Sequence, residues 1–211
     1  SSSGSNKLIN TNNLKTTILN GIDYNSINYI SQKGFANNFG IYFKNSNTIA
    51  KNDATYSSSP QIDAFSIFNM ESSFPLSKIK DSTNRFLTPK ISFRINPGNN
   101  MKNHANTNKI ITADNAFNIN RLGISDSYES GKSLTLGIDY KIDNVESFSS
   151  ENTDIKDKYL EFKLATVIRD KEESDIPVSS TINKKSSNIF GSINNNLLDN
   201  INLGYDFSVN N

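Results

Sequence analysis

The sequence has no cysteine and no tryptophan, and it carries one histidine, five prolines and ten glycines in 211 residues. Without cysteine there is no disulfide framework, no thiolate metal site and no cysteine nucleophile. One histidine leaves little room for a histidine-based zinc site or for a Ser-His-Asp triad. Neither sign of charge is in excess: 22 Lys+Arg against 21 Asp+Glu gives a net charge of +1. A nucleic-acid binder needs a basic excess on one face, so no nucleic-acid partner is expected. Long hydrophobic runs are missing too. Mean hydropathy is −0.54, and apolar runs stop at about five residues, far short of the ~18 of a membrane helix. That excludes helical membrane proteins and leaves membrane β-barrels, whose strands are only half apolar.

What the sequence has in quantity is Asn, at about one residue in six, with abundant Ser, Lys and Ile. Two sources account for this. An AT-rich genome raises Lys, Asn and Ile, and a strand-and-turn-rich chain favours Asn and Ser, which are poor helix formers. Ser1 to Asn6 has neither the basic nor the apolar region of a signal peptide. Ser208-Val209-Asn210-Asn211 stops in or just after a strand-like pattern, and the chain reads as a fragment of a longer protein.

Period two dominates. Ile201, Leu203, Tyr205, Phe207 and Val209 alternate with Asn202, Gly204, Asp206 and Ser208. Leu134, Leu136, Ile138, Tyr140 and Ile142 do the same against Thr135, Gly137, Asp139 and Lys141, as do Leu87, Pro89, Ile91, Phe93 and Ile95 against Thr88, Lys90, Ser92 and Arg94. A fourth copy runs through Leu160, Phe162, Leu164 and Ile168, with Glu161, Lys163 and Arg169 opposite. Successive strand side chains point to opposite faces, so each segment has one apolar and one polar face. Weaker versions near 14–25, 36–46, 62–74 and 186–197 bring the total to about eight strands, each near the ~9–11 residues that cross an outer membrane. No window carries the i, i+3, i+4, i+7 pattern of an amphipathic helix. The expected class is all-β: an antiparallel transmembrane β-barrel segment of about eight strands.

The connections support the barrel. Shorter links (26–35, 76–84, 143–157 and a tight turn at Asp199-Asn200) alternate with longer ones (47–61, 97–128, 170–185), as short periplasmic turns alternate with long extracellular loops. The segment 97–128 is expected to be a long extracellular loop. Mid-strand charges at Lys90, Arg94, Asp139, Lys141 and Lys163 fit a wet lumen, and aromatic residues near strand ends (Phe93, Tyr140, Tyr205, Phe207) fit interfacial girdles. A soluble β-sandwich, with apolar faces inward, gives the same string and stays open as an alternative, as does a small self-contained eight-stranded barrel with a structural or adhesion role.

No Gly-rich phosphate loop, GxSxG elbow or HExxH occurs, and no enzyme activity, cofactor or metal is expected. His104 reads as a solvated loop residue. Glu151, Asp154 and Asp157 match no calcium-loop spacing and read as a charged turn. Arg121, Asp126 and Glu129 bracket the end of the long loop and are candidates for anchoring it at the barrel mouth, at ~0–1 kcal/mol for each exposed pair.

Phe74 to Tyr140 resembles the LPS-assembly outer-membrane protein family (LptD, or organic-solvent-tolerance proteins), especially its alphaproteobacterial forms. The resemblance runs through Phe74-Pro75-Leu76, Phe86-Leu87-Thr88-Pro89-Lys90, Pro97-Gly98, Asn115-Ala116-Phe117, Asn120-Arg121, Asp126, Glu129-Ser130-Gly131 and Leu134-Thr135-Leu136-Gly137-Ile138-Asp139-Tyr140. Lys185 to Gly191 and Leu203 to Phe207 resemble later family strands. Departures are Ser127, where the family has a basic residue, Ser130-Gly131 in place of a double glycine, and the absence of the cysteines that many relatives carry. The resemblance implies that the segment is part of a larger outer-membrane barrel, placed in the outer membrane of a Gram-negative bacterium, in the translocon that inserts lipopolysaccharide into the outer leaflet. It implies an LptE-like lipoprotein plug, periplasmic LPS-bridge proteins, lipopolysaccharide and outer-membrane lipid as partners. Lumen-facing Lys90, Arg94, Asp139, Lys141 and Lys163 would then contact lipopolysaccharide or the plug.

Overall fold

The computed structural model describes residues 2–10, 13–54, 56–80, 83–98, 101, 104–144, 158–198 and 201–210. Eleven strands form one antiparallel sheet: β1 (Ser2–Asn10), β2 (Asn13–Asn25), β3 (Tyr29–Ile30), β4 (Ala36–Lys51), β5 (Gln61–Ser73), β6 (Leu76–Lys80), β7 (Thr83–Asn96), β8 (Gly131–Asn144), β9 (Lys158–Arg169), β10 (Ile189–Leu198) and β11 (Ile201–Val209). The ladder runs β1-β2-β4-β5-β7-β8-β9-β10-β11, with β3 on β4 and β6 on β7. With the short β3 and β6 set aside, each strand pairs with the next in sequence, as a meander.

The two short strands continue longer ones. β5 pairs with β7 from Phe68↔Ile95 to Ser73↔Lys90, and β6 resumes at Leu76↔Leu87. The break falls at Phe74-Pro75 opposite Pro89. Neither proline has an N–H to donate, so the ladder cannot be continuous there. Phe74 N–H bridges the gap to the Pro89 carbonyl at 3.0 Å. β3 likewise extends β2 alongside the first residues of β4.

The sheet is therefore nine strands wide, not eight. All eight segments with period-two patterning lie in strands. β1 was not anticipated, because Ser2–Asn10 has no alternation of its own and is set by its register against β2, Ser2↔Asn20 to Asn10↔Asn13. Nor is the sheet a closed barrel: β1 and β11 are its edges among the described residues. The turn expected at Asp199-Asn200 and the acidic cluster at Glu151, Asp154 and Asp157 lie outside the described residues.

Antiparallel order sorts the connections by end. Links 11–12, 52–60, 97–130 and 170–188 share one end of the sheet, here called the loop end; 26–35, the Phe74-Pro75 break with the β6–β7 link, 145–157 and 199–200 share the other. The segment 97–130 does not project away from the strands. It folds back over the polar face. There Met101, Ile111, Ala116, Leu122 and Ile124, with Ile176 and Ile182 from the next loop, pack on Ala165, Val167 and Phe190 of β9 and β10. This small core is the cluster of buried apolar residues in the described structure.

Two glycines make the docking possible. Gly131 starts β8 at φ +87°, a left-handed conformation that disfavours a side chain. Over Gly137 lies the Phe117 ring, 2.6 Å from where a Cβ would stand, with the Leu164 carbonyl at 3.0 Å. Gly137→Val is expected to undock Phe117 and cost about 1–3 kcal/mol. A lowered denaturant midpoint together with new protease cleavage within 109–130 checks this, and an unchanged cleavage pattern counts against the docking.

Candidate functional site

The polar face of β7, β8 and β9 near the loop end, roofed by 109–130, is where charged groups converge. Arg94 on β7, Arg169 on β9 and Arg121 in the loop surround one carboxylate, Glu129, and all four residues are buried. Arg121 Nε donates to Glu129 Oε2 at 2.8 Å, and its Nη2 donates to Oε1. Arg94 Nη1 donates to Oε1 at 2.5 Å and to the Glu129 carbonyl at 3.1 Å. Arg169 Nη1 stands 3.5 Å from Oε1, while its Nη2 donates to the Ser130 carbonyl. The wall completes the set: Arg121 also donates to Thr135 Oγ1 at 3.0 Å and Ser133 Oγ at 2.9 Å, and Asn96 Nδ2 to the Glu129 carbonyl at 2.9 Å. Burial opposes ionisation of Glu129, but the guanidiniums of Arg121 and Arg94 outweigh it and hold its carboxyl down at about 2.

A second cluster ties the same loop to the other side of the sheet. Asp126 accepts from Lys15 Nζ of β2 at 3.1 Å and from Tyr56 Oη of the 52–60 link at 2.6 Å. Lys15 also lies 3.7 Å over the Tyr56 ring, and Tyr128 packs at a tilt against Phe65 of β5 at 5.0 Å between centroids. Burial raises the Asp126 pKa, yet the hydrogen bonds from Tyr56 and Lys15 leave it below the ordinary value. Burial and the Asp126 hydrogen bond push the Tyr56 hydroxyl up. A third tie is Lys163 of β9, 2.8 Å from Asp114 and 3.0 Å from Glu161.

The expected anchoring residues thus do not form one group. Arg121 and Glu129 meet each other, and Asp126 goes to Lys15 and Tyr56. All three are buried, not exposed, so the ~0–1 kcal/mol of a surface pair is the wrong scale; removing one partner of a buried pair costs ~3–5 kcal/mol. Lys90, Arg94, Asp139, Lys141 and Lys163 all lie on the polar face, and the four cations are engaged with carboxylates. Lys90 is 2.7 Å from Asp139 and also sits 4.6 Å over the Phe117 ring. Lys141 is 2.9 Å from Asp143. His104 is half-buried rather than solvated, with Nε2 3.3 Å from Ser127 Oγ, and burial lowers its pKa against the pull of Asp126.

Lys15, Tyr56, Asp114 and Arg169 were not singled out from sequence. Arg169 was visible as a charge on a polar strand face, but only the fold brings it to Glu129. The three described loop–wall ties share one sense: the acid is on the loop (Asp114, Asp126, Glu129) and the base on a strand (Lys163, Lys15, Arg94, Arg169). Among the described residues no group of three or more metal-ligating side chains occurs. The arrangement can hold a loop against a wall. No protein-family model and no curated protein matches the chain.

Glu129→Gln should lower stability by about 3–5 kcal/mol, read as a drop in unfolding midpoint, because three guanidiniums lose the carboxylate they share. The pH dependence follows from the same residue. Its folded pKa lies below the ordinary 4.5, so its contribution is complete above about 4.5 and is lost as pH falls towards about 2. Acid release of the loop, followed by proteolysis, should appear in that window and vanish in the Gln variant.

Proposed function

We propose that the chain is a section of the wall of an outer-membrane β-barrel, with lipid on its apolar face and the lumen on its polar face. The observation that carries this reading is the inverted polarity of the sheet. Buried positions include Arg94, Glu129, Arg169 and Ser192, at 1–4% exposure, while Ile22, Phe43, Ile62 and Tyr205 stand 60–74% exposed. A water-soluble sheet places these the other way round, and soluble monomers rarely expose an apolar patch beyond a few hundred Å².

The charges on the outward face support the same reading. From β2 to β11, register and alternation put every acidic strand residue on the polar face. The outward-facing charges are all basic and all at strand ends: Lys51 and Lys132 at the loop end, Lys78, Lys80, Arg85 and Lys158 at the other. Long basic side chains at the rims reach lipid headgroups while their stems stay in the apolar zone. Between the rims of β8, Leu134 to Ile142 span about nine residues. At ~3.3 Å per residue and a tilt of ~40° that is ~23 Å of height, close to the ~25 Å apolar band of such barrels. Asn45 and Asn47 interrupt the outward face of β4, but they hydrogen-bond each other at 2.5 Å, and Asn45 also donates to the Asp63 carbonyl at 3.4 Å. That reduces the cost of placing their amides in lipid.

Within this class we assign the chain to the lipopolysaccharide translocon, on the order of motifs that resemble the LPS-assembly family. The polar face would then guide a phosphorylated, sugar-rich head group, with Lys141, the more open of the wall lysines, as a contact for its phosphates. The small closed barrel of eight strands loses its main support, since the sheet is nine strands wide and open.

Leu136→Arg should cost about 2–4 kcal/mol at the bilayer midplane and reduce recovery from the outer-membrane fraction. Lys141→Gln on the opposite face should leave recovery unchanged. Loss of a water-soluble form in place of loss of membrane recovery would overturn the barrel reading. A photoreactive residue at Lys141 in the native polypeptide should capture lipopolysaccharide in cells. A barrel recovered in the membrane without that adduct at any polar-face position would overturn the translocon assignment alone.

A further inference from the structure

The outward face is not uniformly apolar, and its amides gather at one place. Asn20 of β2 stands opposite Asn45 of β4, which stands opposite Ala64 of β5. Asn47 lies one outward rung nearer the loop end, and Ser66 one rung further from it. On β8 the outward positions from Leu134 to Ile142 are all apolar, and on β9 and β10 Thr166 and Asn195 stand as single polar positions. The patch lies deep. Asn45 is six residues from the rim base Lys51. At ~3.3 Å per residue and ~40° of tilt that is ~15 Å, near the middle of a ~25 Å apolar band. The amides are only partly satisfied. Asn47 donates to Asn45, and Asn45 donates to the Asp63 carbonyl. Asn20 is exposed and has no side-chain partner among the described residues. Each Asn side chain offers two donors and an acceptor with two lone pairs, so most of this capacity is unused.

From this patch we propose that β2, β4 and β5 form a contact between two copies of this polypeptide, side by side in the membrane, in which Asn20 and Asn45 of one copy hydrogen-bond the same residues of the other. The inference rests on the barrel reading, because only in hydrocarbon does an outward amide need a partner. The chemistry of the patch selects the occupant. An amide is donor and acceptor at once, so the patch is complementary to itself. None of its residues is charged, so two such faces do not repel. Small residues at Ala64 and Ser66 let two walls approach closely, as small residues do between membrane helices. A two-fold axis along the membrane normal makes the contact isologous and keeps both loop ends on one side. Strands tilted by ~40° then cross at ~80°. Two convex walls touch over a compact centre in that arrangement, and the amides form a compact group on three adjacent strands.

The native polypeptide in its membrane tests this. The sequence has no cysteine, so Ala64→Cys gives one attachment point within this segment for a short bifunctional thiol reagent. Leu136→Cys, on the apolar outward face of β8, is the control. Expected is a band at twice the mass of the native polypeptide, with a link from position 64 to position 64 found by mass spectrometry, and no such link at 136. Asn20→Leu together with Asn45→Leu suits a lipid-facing wall but removes the amides. It should lower the yield of the 64-to-64 link roughly tenfold, as for two hydrogen bonds within a membrane. Absence of the link, equal linking at 136, a link from 64 to a different polypeptide, or an unchanged yield in the double Leu variant would each overturn the proposal. Recovery of the unsubstituted protein outside the membrane fraction defeats the barrel reading itself. A membrane-embedded monomer sinks the contact between copies alone.

Discussion

The carboxylate of Glu129 is the most deeply enclosed of the acids that tie the loop to the polar face. Three guanidiniums from β7, β9 and the loop converge on it, and no other acid in the described structure is surrounded in this way. Arg94 Nε and Nη2 have no hydrogen-bond partner and are sealed from solvent, so Glu129 is the group that makes burying Arg94 tolerable. Charges out of water are kept only where they are paired. Without this carboxylate the 109–130 segment would have to leave the face and let water reach the arginines. Ile111, Ala116, Leu122 and Ile124 of the small apolar core would lose the same support, because those residues lie on that segment.

This arrangement reverses the ordinary division of labour in a β protein. An apolar interior usually supplies cohesion while polar groups face water. Here backbone ladders, ion pairs and one small apolar cluster organise the covered side, and most of the large apolar strand residues face away from it. Such a sheet is stable only if something apolar meets its outward face. That requirement links the charge pattern, with basic residues at the rims and acids confined to the other face, to the membrane reading.

The fold was legible where alternation was strong. β7, β8, β9 and β11 could be placed from the chain because each side chain's face follows from its parity in the strand. β1 was not legible, because a polar Ser/Gly/Asn segment carries no face preference and becomes a strand only by pairing with β2. The break at Phe74-Pro75 is visible as a proline, but its effect depends on Pro89 standing opposite. Arg121 and Glu129 stood out through charge spacing in a long connection, but their true setting did not. A loop reads as solvated until the fold shows that it turns inward, and burial changes a surface pair into a buried one.

The all-β class, the two faces of each main strand and the absence of disulfide or thiolate chemistry follow from residue type and period alone. Tertiary structure decided which charges meet, since Glu129 finds Arg94 and Arg169 across 35 and 40 positions of chain. It also decided that the apolar face is the exposed one. Alternation marks two faces but does not say which of them is covered, and only the packing of 97–130 onto the polar side settles that for this sheet.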